Sequence, residues 1–160
     1  MQHINPQATV IVSTYAIIER DGKILLTRDT GKEGWKLPGG ALGDDHDILD
    51  GLRREVSEET ALKITPTGLV HIESYIGERG PRLRFYLTAT VEGGELKTQT
   101  GEVDAAEWIS KKELQKLTNK DFESAGFYSD TYFRAIRNYL AGKVTPVDVI
   151  VAREHEQHRK

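Results

Sequence analysis

The sequence predicts a mixed domain, α+β in class, and three observations predict it. Runs rich in Val, Ile, Thr and Tyr are bounded by glycine-bearing turns. A central run places apolar residues at helical spacing, and a further helical run lies near the C-terminus. The order is strands, a helix, more strands, then helices, without repeats, low-complexity tracts or an evident linker. At 160 residues, roughly two-thirds of the unfolded surface can be buried, enough for one core without staples. A single domain is expected over residues 1–152, and the charged, His-bearing stretch 153–160 is expected to fray.

In chain order, Thr9 to Ile18 and Lys23 to Arg28 flank Asp21-Gly22, which reads as a hairpin. Asp29 to Gly34 is polar and glycine-bearing, a loop, and leads to Trp35-Lys36-Leu37-Pro38-Gly39-Gly40, whose double glycine permits a tight turn or close approach to a ligand. The acidic stretch Asp44-Asp45-His46-Asp47 precedes Ile48 to Leu62, a helix with Ile48, Leu49, Leu52 and Val56 on its apolar side. Acids at its start suit the positive end of the helix dipole. Leu69 to Ile76 and Leu83 to Val91 read as strands, Gly93-Gly94 as a turn, and Ala105 to Ile109 as a short strand. Ser110-Lys111-Lys112-Glu113 fits a capping box opening a short helix to about Leu117, and Ser129 to Ala141 reads as the last helix, with Gly142 placed to end it.

Composition narrows the function. The 22 Lys+Arg against 25 Asp+Glu leave a net charge of −3, which disfavours a protein that grips nucleic acid through its phosphates. No cysteine is present, so a metal would sit on oxygen or imidazole. The apolar stretch Val10 to Ile18 is interrupted by Ser13 and Thr14 and is about half of what a membrane-spanning helix needs. No Lys or Arg precedes it, as the basic region of a signal peptide would require, and a cytoplasmic location is expected.

The informative segment is Arg54-Glu55-Val56-Ser57-Glu58-Glu59. On a helix, Glu55, Glu58 and Glu59 share one face and repel one another, and Arg54 alone cannot neutralise three carboxylates. Glu59 falls at the margin of the apolar stripe, where a carboxylate needs a cation or strong donors. Such an oxygen cluster suits Mg²⁺ or Mn²⁺, while a solvated acidic helix face is the alternative for a bare ExxEE.

The spacing around it resembles the Nudix hydrolase family, whose box G-x5-E-x7-R-E-U-x-E-E-x-G-U (U, bulky aliphatic) runs here from Gly40 to Leu62. Arg54, Glu55, Val56, Glu58, Glu59 and Leu62 are in place; His46 stands for the first Glu and Ala61 for the second Gly. If the Ala61 position requires positive φ, alanine costs on the order of a kcal/mol there. His46 is read as an exposed loop histidine among aspartates, with a metal ligand or base as the alternative. A second likeness is Glu102, ahead of Glu107-Trp108-Ile109-Ser110, where several members of the family carry a Glu that completes the metal site or acts as base.

The resemblance implies an α/β/α sandwich with a mixed sheet and a loop-helix-loop catalytic motif. It implies hydrolysis of a nucleoside diphosphate linked to another moiety: ADP-ribose, other nucleotide sugars, nucleoside triphosphates or dinucleoside polyphosphates, with capped RNA least favoured. In that reading Gly40, Glu55, Glu58, Glu59 and Glu102 hold Mg²⁺ or Mn²⁺, Glu102 or Glu58 takes the proton of the attacking water, and Arg54 orients Glu55 or Glu58. Glu59→Gln is expected to lower turnover by several orders of magnitude with the fold retained. Arg28, Arg82 and Arg84 are weaker candidates for substrate binding, and a strand-end arginine such as Arg28 is more often a surface charge. Tyr128, Tyr132 and Phe133 are expected to pack the last helix. A homodimer is compatible with the family. The rival reading is a Nudix-fold module that senses a nucleotide without cleaving it, although such modules typically lose box carboxylates that this chain keeps.

Overall fold

A computed structural model describes residues 9–43, 47–99, 101–118, 121 and 124–152. The first hairpin is β1 (Ile11–Arg20) and β2 (Lys23–Asp29), joined at Asp21-Gly22, where both residues take positive φ. A three-residue strand β3 (Gly39–Ala41) precedes helix α1 (Ile48–Thr60). The long strands β4 (Lys63–Gly77) and β5 (Gly80–Gly93) follow, then β6 (Val103–Ser110), helices α2 (Lys111–Lys116) and α3 (Asp130–Leu140), a two-residue strand β7 (Thr145–Pro146) and a 3₁₀ turn at Val147–Val149.

The strands form one seven-stranded sheet in the order β6-β2-β1-β5-β4-β7, with β3 on β1. Among the pairings of the named strands, the β1–β5 one, Ile11 opposite Arg82 through Ile18 opposite Ala89, is parallel and the others are antiparallel, so the sheet is mixed. Alternation along β1 divides the core. Tyr15 and Ile17 pack with Ile24, Leu26, Tyr86 and the α3 residues Tyr132, Phe133 and Ile136. Ala16 and Ile18 face the other way, with Leu25, Leu87 and the α1 residues Leu52 and Val56. Helices thus cover both faces, the sandwich that the resemblance implies. Burial of each large aliphatic side chain contributes about 1.5–3 kcal/mol.

Several boundaries depart from the sequence reading. The double glycine is not a simple turn: Gly39 and Gly40 pair with Tyr15 and Thr14 as strand β3. Gly39 has φ 136°, and a side chain there would run into the Thr14 carbonyl, so the position demands glycine. The strands expected at Leu69 to Ile76 and Leu83 to Val91 are each longer, because their pairing continues from Lys63–Gly93 to Gly77–Gly80 through register shifts that alternation in sequence does not display. Ser110 does occupy the N-cap of α2 but makes no side-chain capping bond. β7 and the 3₁₀ turn were not foreseen, being too short to carry a periodic signal. Tyr132 and Phe133 are buried in the core as expected, whereas Tyr128 is exposed, beneath the Lys32 ammonium. His46 and the tail 153–160 lie outside the described residues.

Candidate active site

Helix α1 begins at Asp47, whose side-chain Oδ1 accepts hydrogen bonds from the Leu49 N–H (2.8 Å) and the Asp50 N–H (2.9 Å). It ends at Ala61, held at φ 59° with its N–H on the Ser57 carbonyl. Leu52 and Val56 fix the helix against the sheet, so the phase of the helix decides where its carboxylates go. Glu59 points inward and is 6% exposed, while Glu55 is half-buried and Glu58 is exposed.

The cation that Glu59 requires is Lys36. Its Nζ lies 2.7 Å from Glu59 Oε1, 2.9 Å from Asp29 Oδ1 and 3.0 Å from the Gly39 carbonyl oxygen. The second Glu59 oxygen accepts the Gly39 N–H at 3.0 Å. Lys36 itself is 8% exposed and is placed by a backbone bridge to Thr27, with Thr27 N–H donating to the Lys36 carbonyl and Lys36 N–H to that of Thr27. Burial disfavours the charged lysine, but Glu59 and Asp29 outweigh it and hold the ammonium above its usual range. Burial pushes the Glu59 carboxyl up, against the pull of Lys36 and the Gly39 N–H. Neither Lys36 nor Asp29 was singled out from sequence. The available signal was a lysine inside the otherwise apolar run Trp35 to Pro38.

Arg54 bridges the other two carboxylates, with Nη2 2.6 Å from Glu55 Oε1 and Nη1 2.8 Å from Glu58 Oε2. Its Nε is buried with no hydrogen-bond partner among the described residues. Burial raises the Glu55 carboxyl, and the opposing pull of Arg54 does not overcome it. The Glu55 carboxylate rests against Gly40 so closely that a Cβ there would lie 2.5 Å from Oε2, so glycine makes room for the acid. Two carboxylates beside a bare backbone suit a hard divalent ion that takes its remaining ligands from water and phosphate. Among the described residues no three Asp, Glu or His side chains converge as a ready metal cage, and Glu59 is engaged by Lys36.

The family model described as NUDIX domain matches residues 8–131. The chain belongs to the Nudix family. Among its relatives is Phosphatase NudJ of Shigella boydii serotype 4, 26% identical over 143 residues that cover 87% of this chain and 89% of the relative. Phosphatase NudJ of Escherichia coli K12 is 25% identical over the same shares. A solved Nudix hydrolase from Nitrosomonas europaea superposes with TM-score 0.75 at 26% identity, covering 91% of this chain and 98% of its own. The fold is shared with an ADP-ribose pyrophosphatase from Streptococcus suis, with TM-score 0.60 at 23% identity over 80% of this chain and 90% of that one. As a Nudix hydrolase the chain acts on phosphoric anhydride bonds, in a family that works on small nucleotides with divalent metal ions.

Glu102 is exposed, and its carbonyl accepts the Thr30 N–H at 2.9 Å, which brings the Glu102 backbone next to Asp29. Among the described residues its side chain has no polar partner, unlike the box carboxylates. Arg28 pairs with Asp104 at 2.9 Å and lies over the Trp35 ring. Arg84 donates to Thr131 Oγ1 at 3.1 Å and sits over Tyr75, so it is already built into the α3 face of the sheet. Arg82, two residues before it on β5, lies across Gly77 near the hairpin end. The structure therefore gathers Arg54, Glu55, Glu58, Glu59 and Gly40 and leaves the three candidate arginines apart from them in separate contacts. No helix among the described residues is long and apolar enough to cross a membrane.

Proposed function

We propose that this single-domain protein, residues 1–152, is a Mg²⁺- or Mn²⁺-dependent pyrophosphohydrolase of small nucleotides. It cleaves a nucleoside diphosphate linked to another moiety, such as ADP-ribose, another nucleotide sugar or a nucleoside triphosphate. The observation that carries this reading is the Arg54-bridged pair Glu55 and Glu58 set against Gly40. A bound ion neutralises phosphate oxygens and lowers the pKa of its water. Glu55, Glu58 and the Gly40 carbonyl would hold it, with Glu102 approaching from the β2–β6 side. Glu59, through Lys36 and the Gly39 N–H, keeps β3 and α1 in register beside them. Arg54 fixes the angle of both outer carboxylates. Glu58 or Glu102, both exposed, accepts the proton released as water attacks phosphorus in line with the leaving phosphate. Arg28 and Arg82 are the side chains offered to substrate charge, and Arg84 stiffens the sheet behind them. The protein is assigned to the cytoplasm, with a homodimer compatible with its family.

The test is incubation with Mg²⁺ and a panel of ADP-ribose, nucleotide sugars, nucleoside triphosphates and dinucleoside polyphosphates, with product identified by chromatography. One preferred product, lost on chelation and lowered about a hundredfold or more by Glu55→Gln or Glu58→Gln, is the expected result. Tight nucleotide binding without product would make the chain a sensor, and turnover untouched by chelation would sink the metal assignment.

A further inference from the structure

Three oxygens from three separate elements converge on one nitrogen. Lys36 Nζ lies 2.7 Å from Glu59 Oε1 on α1, 2.9 Å from Asp29 Oδ1 at the end of β2, and 3.0 Å from the Gly39 carbonyl that opens β3. The Lys36 and Glu59 side chains are 10% and 8% exposed and that of Asp29 28%, so the group is closed to solvent at Glu59 and partly open at Asp29. Two carboxylates and a carbonyl are a donor set of the kind hard divalent cations take, here filled by an ammonium. The buried Glu59 carboxylate cannot stay charged without a cation, because it lacks hydration and has Asp29 close by.

We infer that the Lys36 ammonium is a built-in cation standing in for a divalent ion at Glu59, so that this chain carries its metal only at the Glu55–Glu58 end. This deepens the reading above by setting how many metal ions the site takes and where. Lys36 is a positioning residue: it touches neither metal nor substrate, and it ties Glu59 to the backbone of β3. Because its charge is covalently attached, the Glu59 end stays neutralised when no metal is bound, and the ligands at Glu55 and Gly40 remain in place for loading.

The experiment is Mn²⁺ binding to the full chain, read by the electron paramagnetic resonance signal of free Mn²⁺. Wild type, Lys36→Met and the double variant Lys36→Met with Asp29→Asn are compared. Lys36→Met should bind one more Mn²⁺ per chain than wild type, and the double variant should return to the wild-type number. An unchanged number in a Lys36→Met protein with native circular dichroism overturns the inference. Should Lys36→Met unfold without metal, refolding in millimolar Mn²⁺ supports it, and failure to refold overturns it, because a divalent ion in the vacated cage would restore the charge balance. Failure of the functional reading looks different: wild type would then bind no Mn²⁺ sensitive to Glu55→Gln, whether or not Lys36→Met gains a site.

Discussion

Glu59 and Glu55 are four residues apart on one helix and meet different fates. Glu59 turns into the sheet and is neutralised by Lys36, whereas Glu55 leans on Gly40 and shares Arg54 with Glu58. Glu59→Gln therefore does more than remove a charge from the acidic face. It leaves Lys36 buried with Asp29 and one carbonyl, at a cost of about 3 kcal/mol, the low end for breaking a buried ion pair. In thermal melts this should lower Tm by roughly 6–12 °C along with the expected fall in turnover. The fold is still retained, as expected from the sequence, but with a lower margin of stability. Glu58→Gln, at an exposed position, should leave Tm within about 2 °C of wild type. Equal melts for the two variants would contradict the difference in burial. The need for a cation at Glu59 was legible from the helical wheel. Its source was not, because Lys36 is distant in sequence and is delivered by pairing with Thr27.

At the scale of elements, α1 stops at a left-handed residue that is not glycine. Ala61 has φ 59°, which realises the strain anticipated from its place in the box. Ala61→Gly should stabilise the protein by about 1 kcal/mol, a Tm gain of roughly 2–4 °C. A loss of stability in equilibrium denaturation would show that alanine is favoured there for its packing. On the other side of the sheet, Glu19 of β1 accepts from Lys111 of α2 at 2.9 Å and from the Tyr139 hydroxyl of α3. The Tyr139 hydrogen bond, the largest effect, outweighs burial and, with Lys111, holds its carboxyl below the ordinary value of 4.5. Since the folded state releases this proton more readily than the unfolded chain, the contact stabilises above about pH 4.5 and is lost as pH falls through the lower folded value. Glu19→Gln should flatten that limb of an acid-denaturation curve while changing stability at pH 7 by less than about 1 kcal/mol, the pair being partly exposed. An acid limb identical to wild type would remove Glu19 from the account.

At the scale of the whole molecule, the site is a seam where β2, β3 and α1 meet, so a bound ion should report on global stability. Mg²⁺ at about a hundred times its Kd should add roughly 2.7 kcal/mol, seen as a Tm increase of about 5–10 °C that chelation reverses. The double variant Glu55→Gln with Glu58→Gln should show no such shift, and a shift that survives in it would place the ion elsewhere. The sequence by itself determined the class of fold, the phase of α1 and the identity of the acidic face. Those depend on local periodicity and on the spacing of a box read along one chain. Tertiary structure alone decided which carboxylate keeps a free face. That depends on Asp29, Lys36 and Gly39 being carried to Glu59 by strand pairing, and on Gly40 yielding its side-chain space to Glu55. Pairing of distant segments leaves no periodic trace in sequence, so the internal cation became visible only once the sheet was assembled.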